Sequence, residues 1–225
     1  MKRALAAVLL VGVLSDPGGV SAEETRTWTS GEAFSGTDLW WSLQLEERIA
    51  IGTLQTALFS STSGINFGVG LMPAVHFDHH WYLGLALAVD FPMTGDIAST
   101  YTAVNASFSN IDAAFAVRLG YTPLALSWMT LGLEAEVGLV IDSTTVEAGG
   151  GSADALAAVP GAGGYAHLSF YPHDAFEIGL RAGYRYLFTD RASLSQADAD
   201  RIHVPAGPYR AGGDIVILLT QVLHF

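Results

Sequence analysis

Trp81-Tyr82-Leu83-Gly84-Leu85-Ala86-Leu87-Ala88-Val89-Asp90-Phe91 decides the fold. Its odd positions, Trp81, Leu83, Leu85, Leu87, Val89 and Phe91, are all large and apolar. Its even positions, Tyr82, Gly84, Ala86, Ala88 and Asp90, are mostly small or polar. A period of two means a β-strand with two unlike faces. The preceding segment repeats the pattern. Ile65, Phe67, Val69, Leu71, Val75 and Phe77 share one face, Asn66, Gly68, Gly70 and His76 the other, and Asp78-His79-His80 makes a tight connection.

Working outward, the alternation recurs. Ile111, Phe115, Val117, Leu119 and Tyr121 oppose Asn110, Asp112 and Arg118. Leu131, Leu133, Val137, Leu139 and Ile141 oppose Gly132, Glu134, Glu136 and Gly138. Phe176, Ile178, Leu180, Tyr184, Tyr186 and Phe188 oppose Glu177, Gly179, Arg181, Gly183 and Arg185. Ile215, Ile217, Leu219, Leu223 and Phe225 form one face of a last strand. Ala162 to Phe170 alternates with smaller residues. A first strand falls within Trp40 to Phe59, where Glu47 interrupts the apolar series of Leu43, Leu45, Ile49 and Ile51, so a bulge or register change is expected there. The total is eight strands over residues 40–225. Short links are expected at 78–80, 122–128 and 171–175, and long ones at 92–109, 142–158 and 189–212.

The start of the chain reads as an export signal. Lys2 and Arg3 precede the apolar run Ala4 to Leu14, too short to span a bilayer as a helix, and Val20-Ser21-Ala22 offers small residues for cleavage. Residues 1–22 are therefore expected to be a signal peptide, the alternative being an N-terminal membrane anchor. Residues 23–39 would form a periplasmic segment. Without residues 1–22 the chain holds 21 acidic residues against 8 basic ones, all Arg, because Lys2, Arg3 and Asp16 leave with them. This balance argues against a nucleic-acid partner, which would need a basic face. The absence of cysteine excludes disulfides and thiolate metal sites.

Half of the residues are hydrophobic, yet no later stretch approaches the roughly 18 consecutive apolar residues of a membrane helix. The apolar surface must enter a soluble core or face lipid from strands. A secreted β-sandwich or lipocalin-like barrel would turn the large residues inward. A closed eight-stranded barrel has little interior room, which suits the Gly, Ala and charged face, so the large face is read as lipid-facing. Aromatics gather at both strand ends: Phe77, Trp81, Tyr121, Trp128, Phe170 and Phe176 toward the short links, Phe91 and Phe188 toward the long ones.

In this pattern, and in the run Ile215 to Phe225, the chain resembles the small outer-membrane barrels of the OmpA/OmpX type. The resemblance implies a transmembrane antiparallel up-and-down β-barrel in a bacterial outer membrane, with lipid, including lipopolysaccharide, around it. It also implies that Ile217, Leu219, Leu223 and Phe225 are the signal read by the barrel-assembly machinery, with Gln221 standing where an apolar residue is usual.

Candidate functional residues follow from parity. Asp112, Arg118, Glu134, Glu136, Glu177, Arg181 and Arg185 face the lumen, and pairing across 122–128 would set Arg118 opposite Glu134. They read as a charge network filling the lumen, or alternatively as a polar conduit. His167 and Ser169 share a strand face, as base and nucleophile would, and resemble the pair of the PagL-type lipid A deacylases; Glu177 could orient the histidine. His76, His79 and His80 are read as a wet turn rather than a zinc site, and Asp198 and Asp200 as solvated loop acids rather than a calcium site. No metal or cofactor is expected. The expected function is a monomeric, non-enzymatic envelope barrel with a structural or surface-interaction role and a plugged lumen. The alternatives are a narrow channel for small or apolar solutes and a deacylase-like enzyme.

Overall fold

The computed structural model describes residues 39–56, 59–77, 80–91, 95–97, 106–126, 128–173, 175–208 and 211–225. The expected signal peptide, nearly all of the 23–39 segment, and His79 lie outside them. Eight long strands follow in order: β1 (Trp40–Thr56), β2 (Phe59–His76), β3 (Trp81–Phe91), β4 (Ala106–Ala125), β5 (Met129–Ala148), β6 (Gly151–His173), β7 (Phe176–Leu187) and β8 (Ala211–His224). Each is antiparallel to its neighbour. β3 pairs with β4 from Trp81↔Tyr121 to Asp90↔Asp112, and β1 pairs with β8 from Ser42↔His224 to Thr53↔Ala211. The eight strands thus close into a ring. Closure satisfies the main-chain groups of what would otherwise be sheet edges.

The two faces expected from the period separate as the wall is built. On β3, Tyr82, Ala86, Ala88 and Asp90 are buried, while Trp81, Leu83, Leu85, Val89 and Phe91 are exposed. Val137 and Leu180 are 59% and 52% exposed, although they lie in the middle of long strands. The inside of the ring is therefore the small and polar face, and the outside is a belt of Leu, Val, Ile and aromatics. Phe77, Trp81, Phe91, Tyr121, Trp128, Phe170 and Phe188 are exposed on the outside and Phe176 is half-buried. Trp81 packs on Tyr121 at 4.5 Å and Trp128 on Phe170 at 6.1 Å, so rim aromatics couple neighbouring strands.

Two expectations need correction. There is no bulge at Glu47: it pairs in register with Leu219 and Val69, and the shifts come later, between Gly52 and Thr53 and between Leu54 and Thr56. The outward parity of β1 runs unbroken through Glu47, which points out of the barrel among apolar residues. Nor is 142–158 a long loop. β5 and β6 stay paired to Ala148↔Gly151, and Gly149 and Gly150, at φ 60° and 83°, make the whole connection. Two positive φ values in succession match the twist of a two-residue hairpin and suit a Gly-Gly pair. Inward Thr144, Val146 and Ala148 continue the alternation past the apolar belt.

Residues 188–208 are also built rather than irregular. Ser193–Leu194 pairs with Gly207–Pro208, and helix α1 (Gln196–Ile202) lies between them. Ser195 caps α1 by accepting from the Asp198 amide at 3.2 Å. His203 ends it in the left-handed region at φ 57°. No described helix is long and apolar enough to cross a membrane.

Candidate functional site

The barrel interior carries eight buried carboxylates and five buried arginines among the described residues. The side chains project inward from alternate positions of the strands, and the pairing register stacks them in levels.

The middle level centres on Arg118 of β4, which is fully buried. Its guanidinium meets Glu46 of β1, Glu136 of β5 at 2.8 Å and Glu134 of β5 at 3.5 Å. It also lies 5.1 Å from the ring centre of Tyr165, whose hydroxyl donates to Glu136 at 3.1 Å. Glu134 is shared further: it accepts from Arg181 and from the Tyr82 hydroxyl, and His167 Nδ1 lies 3.2 Å from it. Arg48 links this level outward, bonding Glu46 at 2.9 Å and Asp90 at 3.0 Å. Gly120 leaves the space that the Tyr82 ring fills. A Cβ there would stand 2.1 Å from ring atoms.

The outer level holds Asp90, Asp112, Asp142 and Asp214. Arg185 bonds Asp214 at 2.8 Å and approaches Asp90 at 3.6 Å. The second cation is Arg191, which belongs to no barrel strand. It enters from the segment after β7, is 2% exposed, and contacts Asp112 at 3.0 Å, Asp142 at 3.5 Å and Asp214 at 2.5 Å. Asn110 completes the level by donating to Asp142 at 2.8 Å. Three aspartates on β4, β5 and β8 thus meet one guanidinium, a fork of donors suited to several carboxylates at once.

Above this level sits an apolar cluster. Leu194, Ala199, Ile202 and Val204 of the α1 segment pack on Ala106, Val146, Ala148 and Ala153 of the tall β5–β6 hairpin and its neighbour β4. The helix leans on the inner face of the hairpin, and Arg191 hangs beneath it. Asp198 stays at the surface with Ser195 and Arg201. The Ser195 hydroxyl, and then Arg201, hold its carboxyl below the usual value. Asp200 bonds Gln196 at 2.6 Å. The described residues contain no group of three or more ligands fit for a metal.

The inward arrangement departs in detail from expectation. Arg118 pairs across the turn with Glu136, and Gly120 stands opposite Glu134. A bulge between Tyr121 and Leu124 shifts the pairing by one residue, from Tyr121↔Leu133 to Leu124↔Leu131. Glu177 is not beside His167; it bonds His224 at 3.1 Å at the short-turn end. His167 faces Glu134 and lies 3.5 Å from the Thr122 hydroxyl. Both His167 and Ser169 are buried in the interior, and no described hydrogen bond joins them. His76 accepts or donates to Ser42 at 2.8 Å and stacks on Trp40 at 4.8 Å, whereas His80 turns to the Thr122 carbonyl at 2.7 Å. Leu219, Leu223 and Phe225 are exposed on the outer face, Ile217 is half-buried there, and the Phe225 amide donates to the Trp41 carbonyl at 2.9 Å. Six charged members of the network were missed by the sequence reading. Glu46, Arg48, Asp90, Asp142 and Asp214 carried a signal, since each has inward parity. Arg191 carried none, because a loop has no parity.

A closed antiparallel ring of this kind recurs among solved structures. This one matches the major outer membrane protein of Thermus thermophilus at TM-score 0.55 and 12% identity, over 84% of this chain and all of that one. The fold is that of a bacterial outer-membrane β-barrel. The apolar belt of this outer-membrane barrel is its contact with lipid. Two further solved structures are the attachment invasion locus protein Ail of Yersinia pestis, at TM-score 0.46, and Neisserial surface protein A, at 0.43. Each is 13% identical, over 83% of this chain and 97% of its own. No family model and no curated protein matches the sequence.

Proposed function

We propose that the barrel is a non-conducting, non-enzymatic envelope component whose built outer end meets the cell's surroundings. The observation that carries this reading is Arg191, drawn from an external segment into the lumen and bound there by Asp112, Asp142 and Asp214 under the α1 cluster. Glu147, Asp154, Asp190 and Asp200 are exposed on that end, so its outward field is acidic. An eight-stranded ring has room for side chains rather than an open pore, and the Arg118 level occupies that room. Planar-bilayer recordings of the purified protein should show no unitary steps. Stable steps of one size would overturn the reading.

A narrow cation path is the second reading. Carboxylates outnumber arginines in the interior, eight to five among the described residues. Under this reading the steps would be cation-selective. Deacylase chemistry gains no support from the geometry, because His167 is engaged with Glu134 and makes no described hydrogen bond to Ser169. Lipid A from cells carrying Ser169→Ala should have the wild-type mass spectrum; retained acyl chains in that variant alone would restore the enzyme reading.

A further inference from the structure

Between its two aromatic rims the outer belt is uniformly apolar except at one spot. Among the described outward positions there, Glu47 carries the sole charge and Gln221 the sole amide. They lie on adjoining strands at the closing seam. Leu45 stands opposite Gln221 and Glu47 opposite Leu219, which makes Glu47 and Gln221 diagonal neighbours. Glu47 is six residues from Trp41 and Gln221 four from Phe225. At about 3.3 Å per residue and a tilt near 40°, they stand about 10–15 Å above the lower rim of a band about 25 Å tall. Glu47 is exposed, and no described hydrogen bond or ion pair reaches it.

Charge on the lipid face is destabilising in proportion to depth, and acyl chains offer it no hydrogen-bond partner. A protein surface can. We infer that the β1–β8 seam is the contact face of a homodimer in the membrane. A two-fold axis through the spot sets the Glu47 carboxyl of each copy against the Gln221 amide of the other, so each donor finds an acceptor. This is the self-complementarity an isologous interface requires. Leu43, Leu45, Ile49, Ile217, Leu219 and Leu223 surround the spot and keep the pair in an apolar rim.

The chain has no cysteine, which makes the test direct. Leu219→Cys or Leu45→Cys, oxidised with copper-phenanthroline in outer-membrane vesicles, should give a disulfide-linked dimer band. Val137→Cys, on β5 away from the seam, should give at least ten-fold less. Adding Glu47→Leu and Gln221→Leu should abolish the seam band, while heat-dependent gel mobility, which reports the closed barrel, persists. Glu47→Gln should retain the band, since an amide still pairs. Equal cross-linking at 219 and 137, a band insensitive to the double leucine variant, a cross-link to a different protein, or the monomer expected from the sequence would each overturn the inference.

Discussion

Arg118 is the residue on which the interior turns. One guanidinium faces Glu46, Glu134 and Glu136, and all four groups are buried. Removing one side of a buried ion pair leaves uncompensated charge, so Arg118→Ala should destabilise the barrel by about 3–5 kcal/mol in urea unfolding from lipid vesicles. Arg118→Lys should recover only part of this, since an ammonium lacks the planar fork. Gly120→Ala drives a methyl group into the Tyr82 ring and should cost about 1–3 kcal/mol in the same assay. The inward direction of these residues was legible from parity alone. Their partners were not, because parity is blind to a register change of two. The expected Arg118–Glu134 pairing is Arg118–Glu136 instead, because the strands stay paired as far as Leu126 and Met129 with a one-residue bulge between Tyr121 and Leu124, which no residue type in 122–128 announces.

At the scale of elements, α1 is a short helix held by its ends. Its Ser195 cap gives one prediction: Ser195→Ala should lower its stability by about 1 kcal/mol. His203 sits at φ 57°, where a Cβ is unfavourable, so His203→Gly should raise it by a similar amount, about 1 kcal/mol. Amide hydrogen exchange of residues 199–204 reads both. Acid should act in a defined direction. The Asp198 carboxyl is held below its ordinary value of 3.8 in the folded loop. Its contribution is therefore complete above that value and lost as pH falls through the lower, folded one, so protection of α1 should decline only in that acidic range. Neither α1 nor the tall hairpin was legible. The residues of 142–158 are small and polar, as in a loop, yet Thr144, Val146 and Ala148 keep the inward beat and Gly149-Gly150 supplies the turn. Composition and period disagreed there, and period was the better guide. At Glu47 the same holds: a charge on an apolar face suggested a bulge, whereas the backbone keeps its course.

The whole molecule was legible in its class because eight segments share one two-faced rhythm, and a ring is what removes their edges. Unboiled protein should migrate differently from boiled protein on SDS gels; identical mobility would contradict a closed wall. Deleting Phe225 removes the amide that bonds Trp41 across the seam and the aromatic end of β8. The expected outcome is slower folding into vesicles with little change in final fold. The place of Arg191 also sets an order in time. Its three aspartates belong to β4, β5 and β8, so they converge on one point after β8 has met β1, and until then the outer lumen holds carboxylates with too few cations. The wall is therefore expected to close first and the outer segment to dock last. By the same reasoning that segment is the first to let go, and a protease acting from outside would clip residues 188–208 from a molecule whose wall is still whole.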